Sequence, residues 1–125
     1  MTISQVVRFF DGFGIDFTKT MIQNYVRVGV IDPPVEKRYY VKKHLILLAM
    51  IYELKDIYSL DEIGLFFKLS IKNNDDEHLT SIYNEFRAIY EKIYSQAPNN
   101  PLLDLMVQTT VNKKIVKNMM DNELL

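Results

Sequence analysis

Residues 18–29 of this chain read TKTMIQNYVRVG, and how that stretch folds decides much of the rest. Thr18 is a natural helix cap, because its hydroxyl accepts one of the backbone N–H groups that a first helical turn leaves unpaired. Gly29 suits the left-handed position that closes a helix, since it lacks a Cβ. At about 100° per residue, Lys19, Thr20, Gln23, Asn24 and Arg27 fall within an arc of roughly 140°, and Met21, Ile22, Tyr25, Val26 and Val28 fill the other side. No acidic residue lies in the polar arc, and every side chain in it can donate a hydrogen bond. Lys and Arg reach phosphates or guanine edges, while Asn and Gln can pair in a bidentate way with adenine. The same residue types also make an ordinary solvated helix face, so the pattern gains weight only from its surroundings.

Upstream, residues 3–13 carry apolar side chains at 3, 6, 7, 10 and 13, a helical stripe with Ser4 near its expected cap and Gly12 and Gly14 at its end. This predicts two short helices joined by a tight connection, the second presenting the polar arc, as in a helix-turn-helix unit. Downstream, Pro33 and Pro34 forbid a continuing helix, and residues 30–40 read as a loop or very short hairpin. Lys37 and Arg38 sit at its tip beside Tyr39 and Tyr40, and Lys42 and Lys43 follow at the start of the next helix. Cations gain nothing from the dipole at a helix N-terminus. A phosphate bound near the free N–H groups there would explain them.

Residues 42–57 form a helix so apolar from 45 to 52 that both its sides must be covered, which places it at the centre of the fold. Ser59 and Glu62 have the spacing of a capping box, with Ile63, Phe66 and Phe67 on the buried side of the helix that follows. Residues 72–77, rich in Asn and Asp, mark a turn or mobile loop. The next helix, 77–96, spaces Leu79, Ile82, Phe86, Ile89 and Ile93 as a heptad seam. Pro98, Asn99, Asn100 and Pro101 then break the chain before a last helix over 102–120. The expectation is an all-α fold of six helices, divided into residues 1–72 and a helical extension over 76–125.

Composition sets outer limits. The 125 residues are 48% hydrophobic and 25% charged, enough for a chain of this size to bury about two thirds of its extended surface without disulfide or metal. With no Cys, disulfides, thiolate nucleophiles and Cys-based zinc sites are excluded. No signal peptide is evident, and the longest apolar run, residues 45–52, is far short of the roughly 20 residues that cross a bilayer, so the chain reads as soluble and cytoplasmic. The net charge of −1 conceals an asymmetry: residues 1–50 carry seven basic against four acidic groups, and residues 51–100 five against nine. Clustered cations matter more to a polyanion than the whole-chain sum, because screening confines the interaction to short range.

The sequence from Thr18 to Phe67, above all Thr-Met-Ile-Gln-Asn-Tyr-Val-Arg-Val-Gly-Val-Ile-Asp-Pro-Pro, then Lys-Arg-Tyr-Tyr, then Ser-Leu-Asp-Glu-Ile, resembles the bacterial domain of unknown function 1836. Through it the chain is similar to the DNA-binding domain of MerR-type regulators, in which a two-helix reading unit is followed by a wing and a further helical pair. The resemblance covers about fifty residues and implies a winged helix-turn-helix with a minimal wing. In that pattern Gln23 stands where a contacting arginine is usual, and Tyr25 matches the second of two tyrosines. Arg27 and Gly29 match the basic residue and glycine that close the helix, while Arg38 and Tyr40 match the wing arginine and tyrosine. The chain departs from the pattern at Asn24, in the short segment between Pro34 and Tyr39, and in its slightly acidic balance, all of which weaken the grip on phosphate.

Other chemistry finds little support. His44 borders the most apolar run and His78 lies in an acidic turn, so they share no metal site. Consecutive Asp75, Asp76 and Glu77 cannot wrap a cation as a spaced calcium loop does. Asp61 and Glu62 are explained by a helix start. No phosphate loop, nucleotide glycine motif or nucleophile elbow is present, and neither an enzyme nor a cofactor is expected. Tyr83, Tyr90 and Tyr94 recur at helical spacing, a pattern that could line a ligand cavity or a partner surface but more often marks core.

The function expected is therefore sequence-specific binding of double-stranded DNA by a transcriptional regulator. Lys19, Thr20, Gln23, Asn24 and Arg27 would enter the major groove, and Lys37, Arg38, Tyr40, Lys42 and Lys43 would lie near flanking phosphates or the minor groove. The seam either buries against the last helix of its own chain or joins two copies, and a homodimer through residues 79–119 is favoured because paired reading heads set half-site spacing. The alternative is a helical protein-interaction module that keeps the shape without DNA. No residue encodes an effector.

Overall fold

The computed structural model describes residues 1–71 and 75–123. Among these, the chain forms α1 (Ile3–Asp11), α2 (Lys19–Arg27), α3 (Lys42–Leu54), α4 (Leu60–Ser70), α5 (Asp76–Gln96) and α6 (Leu102–Glu123), with a single 3₁₀ turn at Ala97–Asn99. The described residues contain no strand. One isolated antiparallel bridge joins Val35 to Tyr39. Two compact units result, Met1–Thr80 and Ser81–Leu125. Of the loop expected over 72–77, residues 72–74 lie outside the described residues. Asp75 caps α5 by accepting from the His78 N–H at 2.8 Å.

Local chemistry sets the helix ends. α1 is capped by Thr2, not by Ser4: the Thr2 hydroxyl accepts from the Gln5 N–H, and Gln5 Oε1 accepts from the Thr2 N–H at 2.8 Å. That reciprocal pair satisfies two donors which a cap at Ser4 would leave open. Ser59 and Glu62 form the same box on α4, at 3.0 and 3.2 Å. α1 and α2 end alike. Ile15 N–H reaches back to Phe10 O and Gly14 N–H to Asp11 O, while Val30 N–H reaches Tyr25 O and Gly29 N–H Val26 O. Both patterns are Schellman closures, with Gly14 at φ 75° and Gly29 at φ 80°.

The core of the first unit is built on α3, where His44, Ile46, Leu47, Leu48, Met50 and Ile51 are all buried, so both its sides are covered as its composition requires. It stops at Leu54, three residues short of the expected end, and Ile57 beyond it is exposed. Phe17 is the hub against which α2 is held. Its ring meets Phe10 edge-on at 5.0 Å, Tyr25 at 6.2 Å and Tyr52 at 6.3 Å, linking α1, α2 and α3 through one residue of the connector. Val6, Ile22, Leu48, Met50, Ile63 and Leu79 complete the core. Each such side chain contributes about 2 kcal/mol. Residues 12–18 are needed to bring Phe17 into this position, and the link between α1 and α2 is correspondingly longer than the tight connection expected from the sequence.

The second unit is covered far less. Ile89, Ile93 and Tyr94 on α5 are 52%, 62% and 68% exposed, so the heptad seam is buried at Leu79 and open towards its far end. Of the tyrosines at helical spacing, Tyr83 is half-buried, and Tyr90 and Tyr94 are exposed. Tyr90 and Tyr94 stack with centroids 5.9 Å apart on the surface of α5.

Candidate nucleic-acid interface

α2 starts at Thr18, whose hydroxyl accepts from the Met21 N–H at 3.1 Å. Ile22 and Tyr25 are buried beneath it, and Met21 and Val26 are half-buried. Lys19, Thr20, Gln23 and Arg27 are exposed, as the helical wheel requires, and Asn24 at the edge of the arc is half-buried. Arg27 donates to Asn24 Oδ1 one turn back, so the two form a unit that holds the guanidinium against the helix. Val28, assigned from the wheel to the buried side, is 46% exposed, because the chain leaves the helix at this residue and turns through Gly29. It adds an apolar group to the rim of the arc, the kind of group that packs on a thymine methyl. Its position next to a C-terminal glycine was the only sign of this in the sequence.

The segment after α2 is a miniature hairpin. Val35 N–H donates to Tyr39 O at 2.7 Å and Tyr39 N–H to Val35 O at 2.9 Å, with Glu36, Lys37 and Arg38 between them. Glu36 and Lys37 take φ of 54° and 64°, a left-handed pair that costs non-glycine residues of order 1 kcal/mol each. Lys37 and Arg38 are exposed, and the Arg38 guanidinium lies 5.4 Å from the Tyr39 ring centre. Glu36 sits among them, lowering the positive field of the tip.

Tyr40 does not belong with these residues. It is 5% exposed, packs edge-on against His44 at 5.2 Å, and burial raises its phenol above the ordinary value of 10.0. Its backbone is pinned as well: the Met1 amino group donates to Tyr40 O at 2.8 Å, and the Tyr40 N–H donates to Met1 O. Tyr40 thus anchors the hairpin rather than presenting a side chain from it. His44, wholly buried, holds the other end. Its Nδ1 accepts from the Val41 N–H at 2.9 Å, which leaves the proton on Nε2 to be donated to the Pro33 carbonyl at 3.1 Å. Both ring nitrogens are satisfied, and the residue caps α3 where Val41 has no polar side chain to do so.

Lys42 is exposed at the first position of α3, whereas Lys43 is partly covered and pairs with Asp32 at 3.3 Å. An anion close to this helix start is therefore supplied by the chain itself. The expected cations accordingly divide into an open set (Lys19, Arg27, Lys37, Arg38, Lys42) and one that is tied down (Lys43). His78 bonds Asp75 at 2.8 Å, a capping pair at the start of α5. No group of three or more His, Cys, Asp or Glu among the described residues is arranged to hold a metal ion. An open cleft of about 400 Å³ is lined in part by Val30, Leu47, Phe67, Asp32, Asp61 and Lys68. Among the described residues, no helix is long and apolar enough to cross a membrane.

The domain of unknown function DUF1836 matches residues 1–86, which takes in the arc of α2, the hairpin and the whole of the core built on α3. The chain belongs to this family. Neither a curated protein nor a solved structure matches it.

Proposed function

We propose that this DUF1836 member is a sequence-specific double-stranded DNA-binding protein and a transcriptional regulator, which lays α2 in the major groove in the manner of a MerR-like winged helix. The observation that carries this reading is the arc of Lys19, Thr20, Gln23 and Arg27, exposed and free of acidic groups, on a helix whose opposite side is locked into an aromatic core. A helix held so firmly on one side can present the other without rearrangement, which lowers the ordering cost of binding. Gln23 and the Asn24–Arg27 pair discriminate bases. Lys37, Arg38 and Lys42 neutralise flanking phosphates, and Val28 offers an apolar contact. The hairpin serves as a minimal wing.

Titration of labelled duplexes with the full chain, across a selected sequence library and from 50 to 200 mM salt, tests the proposal. The expected result is a preferred sequence whose affinity falls with a log–log slope of about −0.9 for each phosphate neutralised. Salt-insensitive or undetectable duplex binding would reject it and leave the second reading, a protein-interaction module. Glu36 at the wing tip and the burial of Tyr40 favour that second reading.

A further inference from the structure

α6 carries ten apolar side chains among its 22 residues, and seven of the ten are exposed. Leu105, Lys113, Val116 and Met120 mark the one side that is half-buried. Around the opposite side winds an unbroken row with four-residue spacing: Leu103, Val107, Val111, Ile115 and Met119, exposed by 70%, 51%, 47%, 49% and 63%. A continuous uncovered row of this length is more than the single scattered apolar residues of an ordinary surface.

We propose that this row is a homodimer contact, in which two copies of α6 cross at Val111 about a two-fold axis. Three features of the row fit a second copy. First, it is symmetric about Val111, which sets Val107 against the other copy's Ile115 and Leu103 against its Met119, as an isologous contact demands. Second, rows of four-residue spacing from two helices interdigitate when the axes cross at about −50°, and helices crossing at that angle diverge away from the crossing point. The side chains grow in step with that gap, from Val at the centre through Val and Ile to Leu and Met at the ends. Third, residues 81–125 hold five Lys and Arg against five Asp and Glu, so two copies meet without net repulsion. This contact is distinct from the α5 seam and does not depend on DNA binding.

Sedimentation equilibrium of the full chain over a micromolar concentration series should give twice the 14.7 kDa chain mass. Val111→Lys, which sets two ammonium groups at the axis, should return the mass to that of one chain with an unchanged far-ultraviolet circular dichroism spectrum. Asn112→Lys, one residue off the row, should remain dimeric. Because the chain has no Cys, a second measurement is direct: Val111→Cys should oxidise to a covalent dimer at least tenfold faster than Asn112→Cys. A monomeric parent chain would overturn the proposal, and with it any second copy as occupant. A dimer that survives Val111→Lys, or a Val111→Cys chain that cross-links no faster than the control, would overturn the assignment to this row.

Discussion

At the scale of single residues, Arg27 separates binding from folding. Its side chain is exposed and its hydrogen bond in the free protein goes to Asn24, so Arg27→Ala removes no core contact. Duplex affinity should fall by about 1–3 kcal/mol with the urea midpoint unchanged, and a parent-like affinity in the same titration would remove Arg27 from the interface. His44 is the converse case. It lies wholly within the core, and His44→Ala would leave the Val41 N–H and the Pro33 carbonyl without their partner beside a new cavity. A loss of about 2–4 kcal/mol in urea denaturation is expected. Tyr25 and Tyr40 give a pH dependence. Burial raises both phenols above 10.0, so in the folded state they hold their protons to higher pH than in the unfolded chain. Their contribution is fully present below about pH 10 and is lost as the pH rises through the folded values. The urea midpoint should therefore drop as the pH rises above about 10, and the drop should shrink in Tyr25→Phe and Tyr40→Phe.

At the scale of elements, the closure of α2 and the hairpin after it depend on backbone conformation more than on packing. A Cβ at Gly29 would meet nothing within 4 Å, so Gly29→Ala isolates the cost of φ 80° for an L-residue, about 1–2 kcal/mol by denaturant titration. In the hairpin the sign is different. Lys37 already bears a left-handed φ, so Lys37→Gly relieves strain while adding freedom to the unfolded chain, and the two nearly cancel. Stability within about 1 kcal/mol of the parent is expected, together with a salt slope shallower by about 0.9 if the ammonium contacts a phosphate. These two elements also mark how far local reading carries. The cap at Thr18, the box at Ser59 and Glu62, and the glycine closures are interactions within one turn, and the residues that make them stand side by side in the chain. The Thr2–Gln5 box is equally local, whereas Ser4 has a suitable side chain but no reciprocal partner three residues on.

At the scale of the whole molecule, the two units differ in how their apolar residues are used. The first buries six residues of α3, and the second leaves most of α6 uncovered. Amide exchange should accordingly be slowest in α3 and independent of protein concentration there, whereas α6 should exchange faster on dilution as copies separate; concentration-independent exchange in α6 would count against the dimer. The amino-acid sequence by itself determined that the chain is helical, where its six helices lie to within a few residues, that α3 is central, and that α2 has an acid-free polar arc. Those properties follow from a 3.6-residue period and from caps, both set by near neighbours. Only the tertiary structure decided that Tyr40 is an anchor, that Val28 is open, that Lys43 is paired, and that Tyr90 and Tyr94 of α5 and the long row on α6 face outward. Whether a side chain is covered depends on segments distant in the chain, as when Met1 closes on Tyr40 or Pro33 on His44, and no local period encodes which of them will meet.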